Sequence, residues 1–340
     1  MMRQPGFWRA DPARPGLCAR ALAPLGALYG WATARRLARG RRWRAPVPVI
    51  CVGNLHVGGT GKTPTVIALA ARLAARGVAV HVVSRGYGGR LTGPVQVDPR
   101  AHSAADVGDE PLLMTGFAPV WVSDDRAAGI AAAAAAGAEA VLLDDGFQDG
   151  SVAHDLALVV VSAVQGFGNG RVLPAGPLRE RVAVGLKRAD LVLSVGSAAD
   201  QALFARRWGA HLPCPSVPAA LQTLRTGMDW RGLRALAFAG IGHPERFFAS
   251  LRAEGADLLR AEALTDHQPL TPALMKRLEM EALALGAQMV TTEKDAVRLP
   301  TAFRQRVLTL PVRLEPDDWN ALDTALERAL ARHDTPLQAT

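Results

Sequence analysis

A glycine-rich loop near residue 60 carries the residue types that bind a nucleoside triphosphate. Residues 56–63 read HVGGTGKT and follow an apolar run at residues 47–52, where a strand is expected to lead into a helix. The glycines leave consecutive backbone N–H groups free to surround phosphate oxygens, Lys62 can reach the β- and γ-phosphates, and the Thr63 hydroxyl can ligate Mg²⁺. His56 stands where a first glycine is usual, so the turn into the loop must differ. The residues predicted to bind ATP are His56, Val57, Gly58, Gly59, Thr60, Gly61, Lys62 and Thr63.

Two carboxylates follow a second apolar run and predict a magnesium site. Asp144 and Asp145 come directly after residues 141–143, and P-loop proteins hold Mg²⁺ with an acid from the strand beside the loop. Ligands of open α/β sheets bind beyond the carboxyl ends of the strands. Three further polar clusters at such ends are therefore expected to converge on the triphosphate: residues 84–89, residues 108–111 and the pair Arg179 and Glu180.

Two residues are candidates for activating an acceptor hydroxyl. Phosphoryl transfer to an alcohol needs a base within hydrogen-bond reach of the attacking oxygen. Asp109 is one candidate, although an Asp before Pro111 can equally act as the N-cap of a helix. His267 is the other, and its alternative is a solvated or capping loop histidine.

The pattern around these motifs predicts an α/β fold with a P-loop NTPase-like parallel sheet core and a second, smaller α/β domain. Uniformly apolar runs suit parallel strands covered on both faces, and a proline-rich stretch near residues 212–218 suggests an interdomain linker. We predict an N-terminal arm (1–45), a kinase core (46–212), a linker (213–232) and a C-terminal domain (233–340). The predicted core strands are 47–52, 78–84, 119–123, 140–144, 156–162 and 191–195, and the second unit is predicted to contain strands 233–239, 257–263, 288–292 and 307–314 with helices 244–254, 272–285 and 317–332.

Composition narrows the class of protein. The 340 residues are 49% hydrophobic, which is typical of a chain that buries sizeable cores. Three scattered cysteines without a C-x-x-C pair argue against a disulfide framework or a zinc site and favour the cytosol.

The positive charge is concentrated in the N-terminal arm. Residues 1–45 contain ten arginines, among them Arg3 and Arg41, and one acid, Asp11. The net charge of this arm is therefore +9, and because the whole chain has a net charge of +8, the remaining residues sum to −1. Residues 21–34 are uncharged, and as a helix they would reach roughly 21 Å, short of a hydrocarbon core of about 30 Å, with Pro24 and Gly26 weakening the helix. The arm is therefore expected to lie on an anionic membrane surface without crossing it. A packed helix with a solvated arginine tail is the alternative, and a signal peptide is disfavoured because Arg20 interrupts the apolar region.

Taken together, the motifs resemble one family, the lipid A 4′-kinases (tetraacyldisaccharide 4′-kinases) of Gram-negative bacteria. The resemblance extends from the arm to about residue 314. Its stations are VGN at 52–54, VGGTGKTP at 57–64, SRGYGG at 84–89, GDEP at 108–111, DDGFQ at 144–148, LPAGPLRE at 173–180, AGIG at 239–242, RFF at 246–248, DH at 266–267 and TEKDA at 292–296.

The resemblance implies transfer of the ATP γ-phosphate to the 4′-hydroxyl of an acylated glucosamine disaccharide 1-phosphate, by a peripheral enzyme at the cytoplasmic face of the bacterial inner membrane. It implies that Asp109 with His267 activates the hydroxyl. Thr63, Asp144, Asp145 and Glu180 would gather around Mg²⁺. Gln268, Pro269 and Leu270 depart from the family, which commonly has a second histidine or an aromatic residue there. Further residues at these stations that we expect to bind substrate are Asn54, Arg85, Tyr87, Gln148 and Arg179.

Two other functions compete with the kinase. A membrane-associated regulatory ATPase of the ParA/MinD type also combines such a loop with an amphipathic helix, but it carries a lysine where this chain has Val57 and lacks a second α/β domain. A nucleic-acid-binding NTPase conflicts with the nearly neutral body of the chain. We therefore expect no nucleic-acid partner, and no obligate protein partner is inferred.

Overall fold

The chain forms an α/β fold built on two sheets. The computed structural model describes residues 5–40 and 42–333, so Arg3, Arg41 and the last seven residues of the predicted C-terminal domain lie outside the described residues. The larger sheet has nine strands in the order β13-β8-β7-β6-β1-β5-β2-β4-β3. Its strands are β1 (Val49–Gly53), β2 (Val80–Ser84), β3 (Val95–Gln96), β4 (Val120–Val122), β5 (Ala140–Asp144), β6 (Leu156–Ser162), β7 (Leu191–Val195), β8 (Ser216–Thr223) and β13 (Val312–Pro316).

Both faces of the larger sheet are apolar and covered. In β1, Ile50 and Val52 pack into one core, while Val49 and Cys51 face cores on the other side. This alternation is what a parallel strand buried on both faces requires. The pairs from β8 to β4 are parallel, as predicted, whereas the outer pairs β13 with β8 and β3 with β4 are antiparallel. The sheet is therefore mixed at its edges.

The smaller sheet has four parallel strands in the order β10-β9-β11-β12. They are β9 (Arg234–Ala239), β10 (Asp257–Ala263), β11 (Gln288–Thr292) and β12 (Val307–Leu310). The helices of the chain are α1 (Gly16–Ala21), α2 (Ala23–Arg39), α3 (Lys62–Ala74), α4 (Ala104–Val107), α5 (Asp109–Met114), α6 (Arg126–Ala135), α7 (Val182–Gly185), α8 (Ala198–Trp208), α9 (Pro244–Ala253), α10 (Pro272–Leu285), α11 (Glu293–Ala296) and α12 (Asn320–His333).

The structure corrects the predicted boundaries between the two units. The predicted linker contains β8, which pairs with β7 inside the larger sheet. The predicted strand 307–314 is two strands, because Pro311 separates β12 of the smaller sheet from β13, which pairs with β8. The closing helix α12 buries Leu322 and Leu326 in the core of the larger sheet. Proline-rich composition was misleading here because Pro213 and Pro215 precede β8 and only Pro218, near its start, lies within the strand.

The N-terminal arm is more helical than predicted. Pro24 lies in the first turn of α2, where its missing N–H costs nothing, and Gly26 and Gly30 face the body of the protein. A Cβ on Gly26 would meet the Val172 carbonyl oxygen at 2.8 Å, so the small residues allow close packing. Among the described residues, no helix combines the length and apolarity needed to cross a bilayer.

Candidate active site

The phosphate loop is held in shape by Asn54, which follows β1. Gly61 is the left-handed residue before α3, with φ at 101°, a conformation that favours glycine. The buried Asn54 amide donates to Gly58 O at 3.3 Å and to Thr60 Oγ1 at 3.1 Å. Thr63 lies in the first turn of α3, where free N–H groups and the helix dipole favour anions. Asn54 therefore fixes the loop that leads into the N-terminus of α3.

His56 enters the loop as a buried, neutral residue. It bridges to Leu178, and Val57 N donates to Pro177 O at 2.8 Å. Burial lowers the pKa of His56 to about 4, and the nearby positive charges of Arg179 and Lys62 act in the same direction. The unusual residue at this position thus ties the loop to the 173–180 segment and adds no charge near neutral pH.

Asp144 at the end of β5 has an unsatisfied oxygen beside the loop. Ser84 at the end of β2 donates to its Oδ2 at 3.0 Å, while its buried Oδ1 has no hydrogen-bond partner. Burial raises the pKa of Asp144 to about 7, and the negative charge of Glu110 adds to the increase. A buried carboxylate oxygen without a partner fits Mg²⁺, which is usually bound by one or two protein carboxylates together with substrate phosphates. Within the described part of the chain, no cluster of three or more His, Cys, Asp or Glu residues forms a complete protein cage for a metal.

Asp145 contacts cations from two elements. Arg179 Nη1 and Nη2 lie 2.9 and 3.1 Å from its oxygens, and Lys62 Nζ lies 3.6 Å away. Burial would raise the pKa of Asp145, but Lys62 and Arg179 outweigh burial and lower it. Asp145 therefore joins the loop lysine to the 173–180 segment.

Glu180 is committed to partners inside the fold. Arg188 donates to both of its oxygens at 2.9 Å, and Gln148 Nε2 donates to Oε1 at 3.1 Å. The charge of this buried carboxylate is thus balanced by Arg188 within the fold. Gln148 also bonds Asn54 O and Arg179, so Glu180 is connected to the segment that carries the phosphate loop, and its role as a magnesium ligand stays a prediction.

Asp109 and His267 come together from different sheets. His267 Nδ1 lies 3.0 Å from Asp109 Oδ2, and Asp109 is buried as the first residue of α5. Its alternative as an N-cap is not realised, because Gly108 occupies that position. Burial acts to raise the pKa of Asp109, but His267, Lys294 and Arg298 outweigh it and lower the pKa. The same contact with Asp109 raises the pKa of His267 despite its burial.

Lys294 connects His267 to Glu110, which lies next to Asp109 on α5. Its Nζ lies 3.3 Å from His267 Nε2 and 3.0 Å from Glu110 Oε1, and Glu110 is the acid that acts on Asp144. Lys294 and Arg298 were not among the residues predicted for the site. The polar run that directly follows β11 could have identified them as candidates. Whether these side chains face the site, however, depends on how the two sheets pack.

The five residues expected to bind substrate divide into two groups. Asn54, Gln148 and Arg179 are engaged with the loop and with one another. Arg85 and Tyr87 follow β2 and are exposed, Tyr87 by 75% of its surface. Only the second group offers side chains that are free to meet a ligand.

Comparison with known proteins favours the kinase over the regulatory ATPase. The sequence model of the family described as Tetraacyldisaccharide-1-P 4′-kinase (LpxK) matches residues 18–331. Proteins named Tetraacyldisaccharide 4′-kinase from Dinoroseobacter shibae and Jannaschia sp. are 63% and 60% identical, over 96% and 97% of this chain and 97% and 100% of theirs. A crystal structure of Aquifex aeolicus LpxK, described as the "apo" form in complex with ATP, has a TM-score of 0.73 at 25% identity, covering 92% of this chain and all of the other. The chain therefore belongs to the tetraacyldisaccharide 4′-kinase family and is a phosphotransferase.

Proposed function

We propose that the protein transfers the γ-phosphoryl group of ATP to the 4′-hydroxyl of tetraacyldisaccharide 1-phosphate, a step of lipid A biosynthesis. The names of its relatives support the acceptor, and the ATP in the Aquifex aeolicus structure supports the donor. The observation that carries the proposal is the 3.0 Å contact between Asp109 and His267, which brings a candidate base from each sheet to the same place.

The phosphate loop would hold the triphosphate, with Lys62 at the β- and γ-phosphates. Thr63 and Asp144 are the residues that would hold Mg²⁺, because Thr63 opens α3 and Asp144 has a buried oxygen without a partner. The ion would neutralise charge on the phosphates. We assign Asp145 to positioning Lys62 and Arg179.

Asp109 would accept the proton of the attacking hydroxyl. As the sugar oxygen bonds to the γ-phosphorus, the bond from that phosphorus to the bridging oxygen of ADP breaks, and the hydroxyl proton passes to the Asp109 carboxylate. The lowered pKa of Asp109 keeps it ionised before the reaction. His267 would hold this carboxylate in place. The exposed Arg85 and Tyr87 are assigned to acceptor binding.

The N-terminal arm would bring the enzyme to its lipid acceptor at the cytoplasmic face of the inner membrane. Large apolar side chains of α1 and α2 face outward, among them Leu17, Leu28 and Trp31, while the buried face of α2 contains mostly small residues. Such a face suits a peripheral helix lying in the headgroup region of an anionic bilayer. In terms of domains, we assign the larger sheet with α12 to the kinase core and residues 234–310 to the smaller domain.

The test is transfer of labelled γ-phosphate to purified disaccharide 1-phosphate in mixed micelles, with and without Mg²⁺. Asp109→Asn should lower kcat by about 10²- to 10⁴-fold, because the base is lost, while the affinity for ATP stays near that of the wild type. Ser103→Ala, which removes the N-cap hydroxyl before the neighbouring helix α4, is a matched control that should keep its activity. ATP hydrolysis without any phosphorylated lipid would instead support the regulatory ATPase.

A further inference from the structure

Arg298 lies next to the Asp109–His267 pair and contacts both the segment that carries Asp109 and the segment that carries His267. Its Nη1 donates to Gln268 O at 3.0 Å and its Nη2 to Gly240 O at 3.3 Å. Its Nε has no hydrogen-bond partner and faces Asp109 Oδ2 at 3.6 Å. One guanidinium thus touches the carboxylate of the larger unit and the loop of the smaller one.

The loop that carries His267 needs such support. His267 has a φ of 59°, in the left-handed region, which costs a non-glycine residue of the order of 1 kcal/mol and persists only when its surroundings enforce it. Its backbone N–H donates to Gly240 O at 3.1 Å. Arg298 therefore bonds the same carbonyl as His267 and also the carbonyl of the next residue.

The guanidinium of Arg298 is itself held by Asp295. Asp295 is fully buried, accepts from Gly240 N at 3.0 Å and from Thr292 Oγ1 at 2.7 Å, and forms an ion pair with Arg298. A planar guanidinium can serve these acceptors at once in fixed directions, whereas an ammonium cannot. The arrangement specifies arginine and not merely a positive charge.

We infer that Arg298, held by Asp295, is a positioning residue that aligns His267 with Asp109 and keeps the base of the reaction in place. This inference rests on the proposed function, in which Asp109 accepts the proton. Arg298 touches neither phosphate nor acceptor in this arrangement and acts through the pair.

The charges around Asp109 determine how the removal of Arg298 would change the pKa of Asp109. Asp109 is influenced by His267 from the loop after β10 and by Lys294 and Arg298 from the segment that begins with α11. These three residues contact in turn the acids Asp266, Glu110 and Asp295, respectively. Arg298 is one of the cations that lower the pKa of Asp109. Removing it should therefore move the acid limb of the kcat profile to higher pH.

The test measures kcat, KM for ATP and the kcat–pH profile of two variants in the lipid kinase assay. Arg298→Met should lower kcat by about 10- to 100-fold, since misplacing a base by about 1 Å has that effect, and should shift the acid limb upward with KM for ATP unchanged. Arg298→Lys keeps the charge, so it should lower kcat with little shift of the limb. Arg304→Met is the matched control, because Arg304 is exposed and bonds only Leu299 O within the described contacts, and it should change neither quantity.

The outcomes separate this inference from the proposed function. Wild-type kcat and pH profile in Arg298→Met, with Asp109→Asn still inactive, would overturn the positioning role alone. Full activity of Asp109→Asn would overturn the proposed base. If Arg298→Met loses ATP binding and thermal stability, Arg298→Lys decides the question, and unfolding of both variants would reduce Arg298 to a purely structural residue.

Discussion

Two residues of the site have backbone conformations that few side chains adopt. Asp145 and His267 are the non-glycine residues with positive φ in the described parts of the chain, at 53° and 59°. Each conformation costs free energy that the surrounding contacts must supply. For Asp145 these contacts come from Arg179 and Lys62, and for His267 from Gly240 and Asp109. Backbone strain held in place at these two positions, one after β5 and one after β10, indicates a preorganised site.

The Asp109–His267 contact makes stability depend on pH in a defined direction. The raised pKa of His267 gives a stabilisation that is complete below its ordinary value of 6.5 and is lost as pH rises through the folded value. The lowered pKa of Asp109 gives a stabilisation present above its ordinary value of 3.8 and lost on acidification. We predict that His267→Asn lowers the free energy of unfolding most between pH 3.8 and 6.5 and less at pH 9. Urea unfolding at several pH values tests this, and an equal loss at every pH would contradict it.

At the scale of elements, the strand ends were predictable from the apolar pattern, whereas the pairing of Asp109 with His267 was expected only from the family resemblance. Ser84, Asp144 and the phosphate loop follow neighbouring parallel strands, so their convergence follows from topology. His267 and Lys294 follow β10 and β11 of the other sheet. Their approach to Asp109 depends on how two curved surfaces dock, and periodicity along the chain contains no information about docking. The strand β8 was missed because Pro218 and the two prolines before the strand are typical of a linker.

The outward face of α2 yields a prediction about lipid turnover. Leu28 and Trp31 are 61% and 59% exposed, so replacing them by Asp and Ser should leave the packing unchanged. Losing their insertion should cost about 2 kcal/mol, or roughly 30-fold in affinity for anionic vesicles, and should raise KM for the micellar lipid with little change in ATP affinity. Vesicle flotation and steady-state kinetics measure both. Leu283→Asp on α10, exposed by 67%, is the matched control, and equal effects of the two changes would contradict a specific membrane face.

At the scale of the whole molecule, the smaller sheet is an insertion within the larger unit. The chain leaves the larger sheet after β8, builds the smaller sheet, and returns through β13, which pairs with β8. It then adds α12, whose Asp323 accepts from Arg72 Nε of α3 at 3.0 Å. Helix α3, which begins at the phosphate loop, is therefore bonded to α12, the last helix described. The chain passes from one unit to the other after β8 and returns at β13.

This topology predicts that a change near the C-terminus destabilises the phosphate loop. Leu326 of α12 is fully buried in the same core as Val66 and Leu69 of α3, so Leu326→Ala should cost about 2–5 kcal/mol through lost burial and a cavity. Hydrogen exchange should show reduced protection of α3, with a weaker affinity for ATP. Leu278→Ala removes an equally buried side chain from the smaller unit, and it should reduce protection of β9 and β11 while α3 stays protected. Unchanged protection of α3 in Leu326→Ala would mean that α12 merely covers the sheet, because a helix that completes the core cannot lose a central leucine without loosening its partner.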